Sequence, residues 1–117
     1  MTVVAEEGPK KGSIWHLSGP LVHIGRDSHS DIVLTDLTTS AAHARIEIRK
    51  KAAFLHHLSA SATTGVTGAR MIQFDPGQSG SVRLMDGDRL HVGDSVLSVS
   101  LAAVDFRQLA ITTTRRR

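Results

Sequence analysis

The sequence predicts an all-β sandwich or barrel. Short runs of alternating apolar and polar residues recur about every 8–12 residues, and Gly, Pro, Asp and Ser separate them. No segment keeps the 3.6-residue apolar period that an amphipathic helix requires. The 117 residues include no Cys, which excludes disulfide scaffolds, thiolate zinc sites and cysteine nucleophiles. One domain of this length buries roughly two-thirds of the surface that its unfolded chain exposes, so it can fold without disulfide bonds or a bound metal.

The predicted elements begin after a charged N-terminal stretch. Residues 1–11 are polar and contain the Gly8-Pro9 break, which predicts a flexible leader. Residues 12–103 form the predicted domain. Its strands, in order, are Ser13–Leu17, Leu21–Ile24, Asp31–Leu34, His43–Ile48, Phe54–Leu58, Gly65–Ile72 interrupted at Gly68, Val82–Leu84, Arg89–Val92 and Ser95–Leu101.

Turn-forming residue pairs mark the C-terminal part of the predicted domain. Asp86-Gly87 and Gly93-Asp94 are turn-forming pairs, and each separates two of the last three predicted strands. For residues 104–117 the sequence predicts a C-terminal extension that ends in a basic, frayed tail.

The net charge of +3 equals the charge of Arg115–Arg117, so residues 1–114 are neutral overall. Because residues 1–114 carry no excess of basic residues and the chain has only four aromatic residues, it is not expected to bind nucleic acid. No apolar run approaches the roughly 18–20 residues of a membrane span, and no signal sequence opens the chain. We therefore expect a cytoplasmic protein without membrane insertion.

The sequence also lacks the usual catalytic and metal-binding patterns. It contains no GxxxxGK[ST], GxGxxG or HExxH motif. Adjacent His56 and His57 would point to opposite faces of a strand and cannot chelate one ion together. For Ser40 and His43 a structural hydrogen bond is favoured over a nucleophile and its base. We expect no catalytic residues, no metal and no cofactor, so the chain is not predicted to be an enzyme.

Five short motifs occur in a fixed order across two-thirds of the chain. They are Ile24-Gly25-Arg26, Asp31-Ile32-Val33-Leu34, Ser40-Ala41-Ala42-His43-Ala44, Leu58-Ser59-Ala60-Ser61, and residues 84–93 with the pattern LxDGDxLxVG. In this order and spacing, the chain from about Gly12 to Leu101 resembles a forkhead-associated (FHA) domain. The resemblance implies a β-sandwich of two twisted, mostly antiparallel sheets with recognition loops at one end.

The resemblance also implies a function. FHA domains bind phosphothreonine in an extended peptide, so the expected role is a non-catalytic adaptor module in Ser/Thr kinase signalling, with a phosphothreonine-containing protein or peptide as partner. The implied phosphate-binding residues are Arg26, Ser40 and Ser61, and the implied structural residues are Gly25 and His43. The implied peptide groove comprises Thr38, Thr39, Ala41, Ala62, Thr63 and Thr64.

Departures from the family pattern support an alternative. Ala62 stands where the family usually carries an Asn that binds the peptide backbone, and Ala41 and Ala42 replace frequent polar or cationic residues. The alternative is a phospho-independent protein–protein interaction or assembly domain, as in some bacterial secretion-apparatus relatives, within a larger multidomain chain or assembly. For Arg26 alone, the alternative is a surface ion pair with Asp27 or Asp31.

Overall fold

The computed structural model describes residues 1–50 and 52–101, which form two β-sheets packed face to face. The strands, in chain order, are β1 (Thr2–Glu7), β2 (Ile14–His16), β3 (Leu21–Gly25), β4 (Ile32–Val33), β5 (Ala44–Arg49), β6 (Ala52–His57), β7 (Thr64–Thr67), β8 (Met71–Phe74), β9 (Gly80–Leu84), β10 (Arg89–Val92) and β11 (Ser95–Ser100). Within the described residues, no helix has the length and apolar character needed to cross a membrane.

The chain crosses between the two sheets after β2, β6, β8 and β9. One sheet has six strands in the order β2-β1-β11-β10-β7-β8, and the other has five in the order β4-β3-β5-β6-β9. Among the described residues, neighbouring strands pair antiparallel except for β3 and β4, which run parallel. The prediction of an all-β sandwich of two mostly antiparallel sheets is confirmed.

Alternating side chains from both sheets build the core. Val3, Leu90 and Leu97 point inward from the six-stranded sheet, and Ile46 and Leu55 point inward from the five-stranded sheet. Each of these five side chains has a relative exposure of 0%. Burial of one such side chain contributes about 1.5–3 kcal/mol, so this apolar layer dominates the stability of the sandwich.

The prediction of a flexible leader over residues 1–11 is wrong. Thr2–Glu7 forms β1 inside the six-stranded sheet, between β2 and β11. Val3 pairs with Val99, and both Val3 and Ala5 face the core. The β-branched run Thr2-Val3-Val4 favours a strand, and it outweighs the charges and the Gly8-Pro9 break that follow.

The other predicted strands occur in the predicted order with shifted bounds. The run at Asp31–Leu34 contributes only the two-residue β4, and the run interrupted at Gly68 forms the antiparallel pair β7 and β8. The predicted extension and frayed tail at residues 104–117 lie outside the described residues.

Strand pairing brings several loops to one end of the sandwich. Ile24 at the end of β3 pairs with Ala44 at the start of β5, and Ala44 pairs with His57 at the end of β6. In the other sheet, Val92 at the end of β10 pairs with both Thr64 and Ser95. The loops β4–β5 and β6–β7 and the turn β10–β11 therefore meet at this end.

Candidate anion-binding site

An open cavity of about 520 Å³ lies between these loops. Its lining combines one cation, several hydroxyl groups and one exposed aliphatic side chain. The lining residues are Arg26, Leu37, Thr38, Thr39, Ser40, Ser61, Ala62, Thr63, Gly93 and Asp94.

The Arg26 side chain is anchored at the edge of this cavity. Its backbone N–H donates to the Ser40 carbonyl at 2.9 Å, and its Nε–H donates to the Thr39 carbonyl at 3.0 Å. Its two Nη groups have no hydrogen-bond partner in residues 1–50 and 52–101. The anchored Nε fixes the plane of the guanidinium, and the Nη groups remain as charge-assisted donors for an anion.

Nearby carboxylates do not neutralise Arg26. Asp27 accepts hydrogen bonds from the backbone N–H of His29 and contacts the His29 ring. Asp31 accepts the backbone N–H of His23 at 2.8 Å. In the part of the chain that the structure describes, neither carboxylate forms an ion pair with Arg26, so the surface ion pair considered for this arginine is not observed.

Three serine hydroxyls form a cluster beside the arginine. Ser40 Oγ lies 2.5 Å from Ser59 Oγ and 3.0 Å from Ser61 Oγ. Ser59 Oγ also accepts the backbone N–H groups of Ser61 at 3.2 Å and Ala62 at 2.8 Å. The cluster runs from the buried Ser59 through the half-buried Ser40 to the exposed Ser61.

His43 holds the two recognition loops together beneath the cavity. Its Nδ1 accepts the Ser40 backbone N–H at 3.1 Å, and its Nε2 contacts the Thr63 carbonyl at 2.8 Å. A backbone N–H can only donate, so the proton of the neutral ring lies on Nε2 and is donated to Thr63. Burial lowers the pKa of His43, which outweighs the opposite effect of the bond to Thr63.

Gly25 permits the close approach of β3 to the loop that precedes β5. A Cβ atom at this position would lie 2.0 Å from the Ala41 carbonyl oxygen and 3.1 Å from the Ser40 carbonyl oxygen. Any larger residue would push the loop away from Arg26. The need for glycine here is one of space, because the neighbouring backbone occupies the position of the Cβ atom.

Asp36 joins the β4–β5 loop to the β10–β11 turn. Its Oδ2 accepts hydrogen bonds from the hydroxyls of Thr38 and Thr39, both at 2.7 Å, and from the Asp94 N–H at 2.9 Å. Its Oδ1 accepts the Ser95 hydroxyl at 2.9 Å. Burial by itself raises the pKa of Asp36, but these hydrogen bonds outweigh burial and lower it to about 2. The ionised carboxylate therefore fixes the relative position of the loop and the turn.

This arrangement suits the binding of a tetrahedral oxyanion. It supplies a fixed guanidinium and outward-facing hydroxyl groups, which are donors that match phosphate oxygens. His43 contacts the backbone N–H of Ser40 and not its hydroxyl, so the two residues form the predicted structural hydrogen bond. Among the described residues, no group of three or more potential ligands is arranged to hold a metal ion.

Comparison with known proteins agrees with this fold. A family model described as the cytoplasmic domain of the inner membrane component of T3SS, an FHA-type domain, matches residues 6–102. The chain belongs to the forkhead-associated (FHA) domain family. Comparison with curated protein sequences gave no match.

Solved FHA domains share the architecture of this FHA domain. An FHA domain of a hypothetical protein from Arabidopsis thaliana is 26% identical with a TM-score of 0.69, covering 84% of this chain and 80% of its own. An FHA domain studied for phosphothreonine-dependent interactions is also 26% identical, with a TM-score of 0.68 and coverage of 85% and 93%. The cytoplasmic domain of the T3SS sorting platform protein PscD from P. aeruginosa is 17% identical, with a TM-score of 0.63 and coverage of 83% and 76%.

The structure of the FHA domain brings most of the predicted site residues together. Arg26, Ser40 and Ser61, predicted to bind phosphate, all line the cavity. The predicted groove residues Thr38, Thr39, Ala62 and Thr63 line it as well.

Two predicted groove residues lie elsewhere. Ala41 is exposed but lines a neighbouring cavity of about 200 Å³ on the other side of its loop. The prediction that Thr64 lines the groove is wrong, because its side chain is 0% exposed. Thr64 Oγ1 instead lies 2.7 Å from His57 Nδ1 inside the sandwich.

Besides Gly93 and Asp94, which were predicted only as turn residues, three residues at the site were not predicted from the sequence. Asp36 ties the loops, Ser59 binds Ser40, and Leu37 lines the cavity with 86% of its surface exposed. Asp36 precedes a Thr-Thr-Ser run, which is a signal for side-chain hydrogen bonds in a loop. Nothing in the local sequence distinguishes Ser59 from the other small polar residues around it.

Proposed function

We propose that this FHA domain is a non-catalytic phosphothreonine-peptide-binding adaptor module that acts downstream of a Ser/Thr kinase. The observation that carries the proposal is the convergence of Arg26, Ser40 and Ser61 on one cavity, with the Arg26 Nη groups directed to no described residue. The solved FHA domain studied for phosphothreonine-dependent interactions supports the same ligand class.

Each of these groups has a distinct role toward the phosphate. Arg26 donates through its Nη groups to a phosphate that carries about −1.5 to −2 charge at neutral pH. Ser40 and Ser61 donate their hydroxyl protons to the remaining oxygens. Thr38, Ala62 and Thr63 contact the peptide on either side of the phosphothreonine.

The proposed setting is the cytoplasm of a bacterium, where the domain is part of a larger chain or assembly. The match to the cytoplasmic domain of a T3SS inner membrane component supports this setting. The partner is a phosphothreonine-containing protein, and the proposal involves neither nucleic acid nor membrane insertion.

The test is a calorimetric or NMR titration with a degenerate phosphothreonine peptide pool and with its unphosphorylated counterpart. The wild type should bind only the phosphorylated pool, and Arg26→Ala should weaken binding at least tenfold, since a charge-assisted hydrogen bond contributes about 1.5–3 kcal/mol. Arg83→Ala is the matched control. Arg83 is also an exposed arginine, but it lies on β9 opposite Phe54 of β6. This position is away from the end of β6 that leads to the cavity.

The pH dependence adds a second readout. Affinity should fall as the pH drops below about 6, because the phosphate then takes up its second proton and loses charge. Equal binding of both pools, or binding that Arg26→Ala leaves unchanged, would contradict the proposal.

The second candidate is a phospho-independent interaction or assembly domain. The match to the T3SS family model and the fold of PscD favour it, as does Ala62, whose side chain has no hydrogen-bonding group. If the wild type shows no preference for the phosphorylated pool up to millimolar peptide, this candidate replaces the first.

A further inference from the structure

We infer that Ser59, buried behind the site, is a positioning residue that directs the hydroxyl protons of Ser40 and Ser61 toward the ligand. The inference rests on the proposed function, because it concerns how the same site presents its donors to a phosphate. Ser59 itself is 1% exposed and does not line the cavity, so it cannot contact a ligand there.

The direction of donation follows from the partners of Ser59 Oγ. A serine hydroxyl has one proton to donate and two lone pairs that accept. Backbone N–H groups of Ser61 and Ala62 point at Ser59 Oγ, at 3.2 Å and 2.8 Å. These groups can only donate, so they occupy both lone pairs. The hydroxyl proton of Ser59 is therefore donated to Ser40 Oγ, 2.5 Å away.

The orientation of Ser59 determines that of the next two hydroxyls. Ser40 Oγ accepts from Ser59, so its own proton points away from Ser59, either to Ser61 Oγ at 3.0 Å or to a ligand. When Ser61 accepts this proton, the Ser61 proton faces the cavity. The result is a one-way chain of hydroxyl donors that ends at the ligand, and successive hydrogen bonds in such a chain strengthen one another.

The backbone of Ser59 is fixed on both sides, which keeps the hydroxyl in place. Its N–H donates to the His43 carbonyl at 3.1 Å, and its carbonyl accepts the Gly77 N–H at 2.9 Å. His43 also accepts the Ser40 N–H through Nδ1. Ser59 and Ser40 are thus held to the same residue, so the 2.5 Å contact between their hydroxyls is present before a ligand binds.

The chain of hydroxyl donors matters because Ala62 lacks the side-chain donor of the Asn that the family usually carries at this position. Ala62 offers only its backbone N–H, and that group is used by Ser59. Donation to the ligand therefore depends on Arg26 and on the two hydroxyls that Ser59 orients. Loss of the Ser59 hydroxyl should weaken binding even though this residue makes no contact with the ligand.

A double-mutant cycle with Ser40 tests the inference on the full chain. The probe is the degenerate phosphothreonine peptide pool, measured by calorimetry. Ser59→Ala should weaken binding about tenfold, the loss expected for one hydrogen bond. In a Ser40→Ala background, Ser59→Ala should cause less than about a twofold further loss, because it acts through Ser40. Ser98→Ala, which removes a half-buried serine hydroxyl on β11, is the matched control and should leave binding unchanged.

A second variant covers the case in which Ser59→Ala does not fold. Ser59→Cys keeps an atom that can receive the two N–H groups, but its thiol is a weak donor, so affinity should still fall while the NMR spectrum keeps the dispersion of the wild type.

The outcomes separate the two proposals. If the wild type does not distinguish the phosphorylated from the unphosphorylated pool, the proposed function fails and the inference fails with it. If the wild type binds, and Ser59→Ala either leaves affinity unchanged or weakens it equally with and without the Ser40 hydroxyl, only the inference is overturned.

Discussion

Replacing Asp36 with Asn tests how strongly the buried carboxylate holds the β4–β5 loop to the β10–β11 turn. The four hydrogen bonds to this carboxylate lower its pKa from 3.8 to about 2. A pKa difference of this size between the folded and unfolded states is worth about 2 kcal/mol at neutral pH. Asp36→Asn removes the charge and leaves the size of the side chain unchanged, so the free energy of unfolding should fall by about this amount at pH 7.

The sign of the pH dependence follows from the lowered pKa. The contribution of Asp36 is fully present above the unfolded-state value of 3.8 and is lost as the pH falls through the folded-state value of about 2. At about pH 3, roughly half of the difference between the wild type and Asp36→Asn should therefore have disappeared. Other carboxyl groups titrate in both proteins, so the difference between the proteins isolates Asp36.

Urea unfolding followed by circular dichroism at the two pH values measures this difference. Asp94→Asn is the matched control, because its carboxylate is exposed on the same turn and the bond to Asp36 uses only its backbone N–H. A gap between wild type and Asp36→Asn that is the same at pH 7 and pH 3 would refute the reasoning. So would a gap no larger than that of the control.

Three further predictions concern the frame of the site, and urea unfolding measures each of them. Gly25→Ala should lower the free energy of unfolding by about 1–3 kcal/mol, because its Cβ would overlap the Ala41 carbonyl oxygen. Gly65→Ala is the control and should lower it less, because a Cβ at position 65 has its nearest contact at 3.4 Å. Burial lowers the folded-state pKa of His43 below 6.5. The neutral ring therefore contributes its full share to the free energy of unfolding above about pH 6.5, and this contribution decreases as the pH falls. A His43→Gln variant whose free energy of unfolding decreases with pH as steeply as that of the wild type would contradict this. Leu97→Ala should lower the free energy of unfolding by about 2–5 kcal/mol, because the side chain is fully buried. A decrease below about 1 kcal/mol would argue against its place in the core.

The fold was largely predictable because its signals are local. Alternating side chains mark the strands, and pairs such as Asp86-Gly87 mark the turns between them, so each element depends on neighbours in the sequence. β1 was missed because Val4, between the inward-facing Val3 and Ala5, is apolar as well and hides the alternation, and because the adjacent charges resemble those of a solvated segment. What decides its structure is pairing with β11, whose Ser98 binds Val4 across 94 positions.

The site was predictable only in part, and the reason is distance along the chain. Arg26, Ser40 and Ser61 came from the family resemblance, since no spacing rule places residues from three separate loops in one cavity. The role of Asp36 in joining the β4–β5 loop to the β10–β11 turn could not be assigned, because its Ser95 partner is 59 positions away. Ser59 escaped notice for the same reason, since its contact with Ser40 spans 19 positions.

The position of β1 between β2 and β11 has a consequence for how the chain folds during synthesis. The strands of the five-stranded sheet all lie between residues 21 and 84, so that sheet can form while the ribosome is still adding the last strands. β1 is synthesised first, but it lies between β2 and β11 and must wait for residues 95–100. Folding rates fall as contacts become more distant in sequence, so closure of the six-stranded sheet should be the slow step. Until β11 emerges, one edge of β1 has no hydrogen-bonding partner, and this unpaired edge is the part of the strand most in need of protection from aggregation.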